Sequence, residues 1–178
     1  MIKLNQELIK HTNLMSGKLL GFGIDDNELI KSIEKNININ ECNLLDLKKS
    51  NNKHGKSKEK TININIKNIR KKFKYKKNNY IICDLNTVDK YLKTFVRDSV
   101  YINNKEIYYY MDNEYDIDKI ISKYKRYKTK IDVIKCLDGT ILKIDTSKAK
   151  TNIIKDKFYY LVDSLINLGE LIGDVLIS

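Results

Sequence analysis

Arg70-Lys71-Lys72-Phe73-Lys74-Tyr75-Lys76-Lys77 alternates cations with aromatic rings, and no other stretch of the chain suggests its chemistry so directly. Cationic side chains neutralise phosphates, while a flat ring stacks on an unpaired base for roughly 1 to 3 kcal/mol. Lys123-Tyr124-Lys125-Arg126-Tyr127-Lys128 repeats the alternation. Its purely structural alternative is a helix end or strand whose rings face the core while lysines cover the outside. The residues assigned to nucleic-acid contact are Lys67, Arg70, Lys71, Lys72, Phe73, Lys74, Tyr75, Lys76, Lys77, Lys125 and Arg126. Arg70 and Arg126 are the best single contacts, because a guanidinium reaches a phosphate or a guanine in bidentate fashion.

The charge distribution points the same way. Residues 48 to 80 hold twelve lysines and Arg70 against one acid, Glu59, a net of +12, so the other 145 residues balance to −1. Lys, Asn, Ile and Tyr are encoded by A/T-rich codons, which accounts for the abundance of lysine. It does not account for the exclusion of Asp and Glu from this window. A local positive field steers a polyanion to one face, so the expected partner is DNA or RNA, or a protein-RNA complex.

Enzymatic signatures are weaker. Asp25-Asp26 and Asp46-Leu47-Lys48 lie about twenty residues apart, a spacing that superficially resembles a metal-dependent nuclease core in which carboxylates hold Mg²⁺. So loose a spacing arises readily in a chain rich in Asp and Lys. His11 and His54 are the only histidines, and neither has a neighbour suggesting a nucleophile-base pair. Gly21-Phe22-Gly23 precedes acids that would repel a phosphate. Cys42, Cys83 and Cys136 show no CxxC spacing, and so imply neither a disulfide framework nor a zinc site. No metal or cofactor is expected, and a non-enzymatic role is preferred.

The elements that must position these residues read as an α+β fold, with short antiparallel strands and hairpins, helices at both ends and a mobile lysine-rich loop near 48–60. One domain over 1–178 is expected, divisible into a helical part at 1–47, the basic loop at 48–60 and an α+β core at 61–178. Leu4, Leu8, Met15 and Leu19 predict a helix over 3–20 that Gly21 stops, and Asp25 or Asp26 caps a second helix to about residue 35. Asn36 to Asn40 and Thr61 to Ile66 alternate like strands and would pair as a hairpin. Residues 79 to 83 predict a strand, followed by a helix capped by Asn86 and Asp89 that carries Val88, Tyr91, Leu92, Phe95 and Val96. A hairpin is expected of Val100–Ile102 and Glu106–Met111 around Asn103-Asn104, then a helix from Asp116 or Asp118. Asp138-Gly139 marks a hairpin joining 130–137 to 140–145.

Toward the C-terminus, Ile154, Phe158, Leu161, Leu165 and Leu168 open an a/d ladder that would serve as a dimerisation face. A wide core-facing helix, with Val162, Ile166 and Leu176 broadening the stripe, is the preferred explanation of the same pattern. Helix, hairpin and long final helix together resemble the end of a winged-helix module. No apolar run approaches the roughly 18 to 20 residues a membrane span needs, so a cytoplasmic location is expected. The sequence therefore reads as a non-enzymatic nucleic-acid-binding protein clamping its target through 48–80 and dimerising through the final helix. The alternatives are an interaction protein of viral or mobile-element type that inhibits or recruits another protein, and a small metal-dependent nuclease.

Overall fold

Tyr80-Ile81-Ile82-Cys83 is apolar without alternation, as expected of a strand buried on both faces. In the computed structural model, which describes residues 2–45, Ile69, Phe73 and 77–149, this run is the centre of β3 (Asn78–Asp84). β3 lies parallel to β1 (Gly17–Phe22) on one side and to β4 (Asn103–Met111) on the other. β1 is also parallel to β2 (Ile39–Leu45). Beyond β4 come β6 (Thr140–Asp145) and β5 (Lys130–Lys135), each pair antiparallel. Among the described residues, six strands form one sheet in the order β2-β1-β3-β4-β6-β5.

Parallel neighbours require crossovers, and among the described residues helices supply those from β1 to β2 and from β3 to β4. α1 (Leu4–Thr12) and α2 (Asn27–Lys35) cover one face, where Leu8, Leu29 and Ile33 meet Leu19, Ile82 and Ile141. The other face carries α3 (Leu85–Val88), a 3-10 turn (Asp89–Tyr91), α4 (Leu92–Ile102) and α5 (Asp118–Tyr124). There Val88, Phe95 and Tyr124 pack on Phe22, Ile81 and Tyr109. Ser99 Oγ, Tyr124 and Tyr109 join in a buried hydroxyl chain, 3.1 Å and 2.8 Å long at its two steps, which ties α4, α5 and β4 together.

Several expectations need correction. The fold is not an α+β arrangement of short antiparallel hairpins, because four of six strands run parallel and helices cover both faces. The first helix ends at Thr12, and Leu19 belongs to β1, a strand buried toward both faces whose apolar pair imitated one more helical turn. Val100–Ile102 closes α4 and runs directly into β4, so Asn103 starts a strand instead of turning a hairpin. Asn103 Nδ2 donates to the Glu106 carbonyl and to Thr146 Oγ1, holding that junction. The winged-helix likeness falls for the same reason, since its hairpin is the antiparallel edge of the large sheet.

Other expectations match. Asp26 caps α2 by accepting from the Leu29 amide at 2.8 Å, and the hairpin of β5 and β6 turns at Asp138-Gly139. Thr61 to Ile66, the loop at 48–60 and the ladder from Ile154 lie outside the described residues. Among the described residues, no helix is long and apolar enough to cross a membrane.

Candidate functional site

The chain leaves β1 toward the sheet edge at β2, then returns to place β3 on the other side of β1. The connection after β1 enters α2 on one face, whereas that after β3 enters α3 on the opposite face. Between the carboxyl ends of these two strands the connections therefore diverge and leave a crevice, the position where open α/β sheets bind ligands.

Gly23, at the end of β1, organises this crevice. Its φ of 65° lies in the left-handed region that favours glycine. Its amide donates to the Leu45 carbonyl at 3.2 Å, and its own carbonyl accepts from the Tyr110 hydroxyl at 3.3 Å. A Cβ here would fall 2.8 Å from Thr87 Cβ and 2.9 Å from its Cγ2. The turn after β1 is thus held by β2, by β4 and by α3. Gly21 is crowded differently, since a Cβ there would meet Ile24 Cδ1 and Leu44 Cδ2, both at 2.6 Å. The chain's own side chains fill that flank.

Carboxylates dominate the lining. Residues 21–28 and 84–89 include Asp25, Asp26, Glu28, Asp84 and Asp89 but no Lys or Arg. Asp26 is engaged as the α2 cap, and Asp84 Oδ1 accepts from the Asn86 amide at 3.0 Å to cap α3. Burial, reinforced by Asp84, Cys83, Asp25 and Asp26, raises the Tyr110 hydroxyl far above its ordinary pKa. Tyr110 is therefore a neutral donor at every physiological pH. Burial likewise pushes the Cys83 thiol well up, with Asp84 adding to it, and the thiol donates to the Asp84 carbonyl at 3.3 Å. A protonated, fully buried thiol is no nucleophile. At the rim, Asp89 accepts from Lys119 Nζ at 2.7 Å and from the Tyr115 hydroxyl, tying the turn after β3 to the loop after β4. The Lys119 hydrogen bond, and then that of Tyr115, holds the Asp89 carboxyl below the usual carboxylate range.

No protein-family model and no curated protein matches this chain. Solved structures do. The spermidine synthase of Thermotoga maritima matches over 83% of this chain and 62% of its own length, with 13% identity and a TM-score of 0.52. A Methanococcus maripaludis protein described as a candidate S-adenosyl-L-methionine-dependent methyltransferase matches over 84% of this chain and 85% of its own, with 12% identity and a TM-score of 0.53. The chain has a Rossmann-like fold. At such low identity the likeness establishes architecture alone, and the chain spans about three fifths of the synthase it matches. It nevertheless overturns the reading as a non-enzymatic nucleic-acid-binding protein and leaves the viral-type alternative without support. These two solved proteins are described as a synthase and a candidate methyltransferase, and neither description is that of a nucleic-acid-binding module.

Of the residues assigned to nucleic-acid contact, Lys77, Lys125 and Arg126 lie away from the crevice. Lys77 is exposed just before β3, and Lys125 and Arg126 are exposed on the 3-10 turn preceding β5. All three sit at the end of the sheet where the parallel strands start, opposite the crevice. Phe73 packs partly buried against the core on the α4 face, and in the second basic stretch Tyr124 and Tyr127 are buried while the cations point outward. Rings face the core there, as in the structural alternative. Lys67, Arg70, Lys71, Lys72, Lys74, Tyr75 and Lys76 lie outside the described residues, as do Asp46, Lys48 and His54. Among the described residues, no three His, Cys, Asp or Glu side chains gather to hold a metal ion. Sequence reasoning missed Gly23, Thr87 and Tyr110. The available signal was an apolar pair, a Gly-Phe-Gly turn and a capping acid in succession, which is strand, tight turn and helix start.

Proposed function

We propose that this chain is a transferase that binds a ligand of the S-adenosyl-L-methionine type in the crevice between the ends of β1 and β3. One observation carries the reading: among the described residues, the turns after β1 and β3 offer the crevice carboxylates, a hydroxyl and a glycine backbone, and residues 21–28 and 84–89 include no Lys or Arg. Carboxylates in a partly desolvated cleft repel a pyrophosphate and suit a positive charge, so a dinucleotide fits poorly and a sulfonium fits well. One of the solved structures reported above is described by its dependence on S-adenosyl-L-methionine, which agrees with this choice.

Gly23, Asp25 and Thr87 would hold such a ligand. When bound, it supplies a methyl group on a positively charged sulfur, an electrophile whose leaving group is a neutral thioether. The chain contributes position and field. Leu45 and Tyr110 fix the Gly23 turn, the two capped helices set the crevice walls, and the Asp89 clasp holds the rim. Thermal unfolding with S-adenosyl-L-methionine, S-adenosyl-L-homocysteine, NAD⁺ and ATP tests the reading. A ligand present at about a hundred times its Kd stabilises by about 2.7 kcal/mol. The two adenosyl thio-compounds are expected to raise Tm and the two phosphates to leave it unchanged; a rise with NAD⁺ alone would sink the proposal.

A further inference from the structure

Leu14 and Ile37 are the two most exposed large apolar side chains among the described residues, 77% and 87% accessible. They stand on neighbouring turns, one between α1 and β1 and the other between α2 and β2. A single side chain joins these turns. Asn36 Nδ2 donates to the carbonyls of Thr12 and Met15 at 2.8 Å and 3.0 Å, and its Oδ1 accepts from the Asn38 amide at 2.9 Å. The Gly17 amide adds a 2.8 Å bond to the Asn38 carbonyl. Each turn is thus pinned at its base and carries an aliphatic side chain at its tip. Adjacent exposed apolar side chains rimmed by polar residues, unlike scattered ones, mark a contact surface.

Both tips lie at the end of the sheet where the parallel strands start, opposite the crevice. Cations surround them. Lys35 closes α2 beside Ile37, Lys77 precedes β3, and Lys105 stands near the start of β4; all three are exposed and make no ion pair among the described residues. Of the acids at this end, Glu41 is paired with Lys18 and Glu106 with Lys143. Glu34, exposed on α2, and Asp145, bonded to the Ser147 amide, offset part of the remaining charge. The basic window at 48–80 also joins the sheet at this end, through Lys77. We infer that this end is a docking surface for an anionic lipid bilayer, with Leu14 and Ile37 entering the headgroup region and Lys35, Lys77 and Lys105 meeting lipid phosphates and carboxylates. Two apolar tips inside a cationic rim match a surface that is negative outside and hydrocarbon beneath. A nucleic acid would engage the cations but give aliphatic tips no ring or hydrocarbon to enter. In this pose the crevice faces away from the bilayer and stays open to solvent. The inference does not depend on which ligand the crevice takes.

Flotation of the intact chain with phosphatidylcholine vesicles containing about one third phosphatidylserine tests it. The parent is expected to float with these vesicles and far less with phosphatidylcholine alone. Leu14→Ser combined with Ile37→Ser is expected to weaken binding about tenfold. Lys35→Gln, Lys77→Gln and Lys105→Gln together are expected to weaken it on the order of a hundredfold at low salt. The chain has no tryptophan, so Leu14→Trp places one reporter at a tip. Its emission should shift to the blue on the anionic vesicles and be quenched by lipids brominated in the acyl chain. All the substituted side chains are exposed, so melting temperatures should stay with the parent. Vesicle binding unchanged by the paired serine substitutions would reduce the contact to charge attraction and overturn the proposal. So would the absence of vesicle binding by the parent, or Leu14→Trp emission that does not move on bound vesicles. A dimer in solution that Leu14→Ser dissociates, with no vesicle binding, assigns the tips to a second copy of the chain and equally overturns it.

Discussion

Gly23 shows how much of the crevice depends on one missing side chain. A residue with a Cβ must enter the left-handed region there and also displace Thr87. Gly23→Ala is therefore expected to destabilise the fold by about 1 to 3 kcal/mol, read as a lower denaturation midpoint at unchanged slope. An unchanged midpoint would mean that the turn is looser than described. From the sequence this glycine was legible as punctuation but assigned to the wrong boundary. The α2 cap was legible to within one residue, as Asp25 or Asp26, because a cap depends only on residues within one helical turn. Thr87 and Tyr110 were not, since their importance comes from contact with a turn 64 and 87 residues away.

Whole elements were readable where the deciding contacts are local. The hairpin of β5 and β6 follows from Asp138-Gly139 between alternating strands, and α2 from its cap and apolar stripe. β1 was misread because a strand buried on both faces loses its period of two, and β4 because helix α4 runs into it with no connecting loop. The docking of α1 on the sheet carries a pH dependence. His11 stacks 5.2 Å from the Tyr108 ring and lies 3.4 Å from Glu7 Oε1 without the alignment of a hydrogen bond. Around it stand Lys10 and Glu7 on its own helix, Tyr108 and Glu106 on β4, and Lys143 on β6. Burial outweighs the pull of Glu7, aided by the two lysines, and holds the imidazole below its ordinary pKa of 6.5. The unfolded chain then binds the proton more readily than the folded one. Stability is fully present above about pH 6.5 and falls as the pH drops below it. Comparing denaturation midpoints at pH 7.5 and about pH 5.5 should show a larger loss in the parent than in His11→Phe, which keeps a ring against Tyr108; equal losses would remove His11 from the account.

At the scale of the whole sheet, among the described residues, the turns after β1 and β3 carry Asp25, Asp26, Asp84 and Asp89, with Lys119 paired to Asp89, while Lys77, Lys105 and Lys128 stand near the end where the parallel strands start. The basic window at 48–80 was plain in the sequence, but this sorting was not, because it depends on which strands lie side by side. That order is set by contacts between residues far apart, such as Leu20 with Ile81 and Ile82 with Tyr108, and no local pattern encodes it. The reversal of strand order at β1 locates a crevice, and the acidic residues of its described turns are the basis of the proposed ligand class. Photolabelling with tritiated S-adenosyl-L-methionine, followed by peptide mapping, tests this most directly. Saturable label is expected on the peptides containing Gly21–Glu28 or Asp84–Asp89, with competition by S-adenosyl-L-homocysteine and none by NAD⁺. Label that does not saturate, or that maps to the basic end of the sheet, would contradict the account.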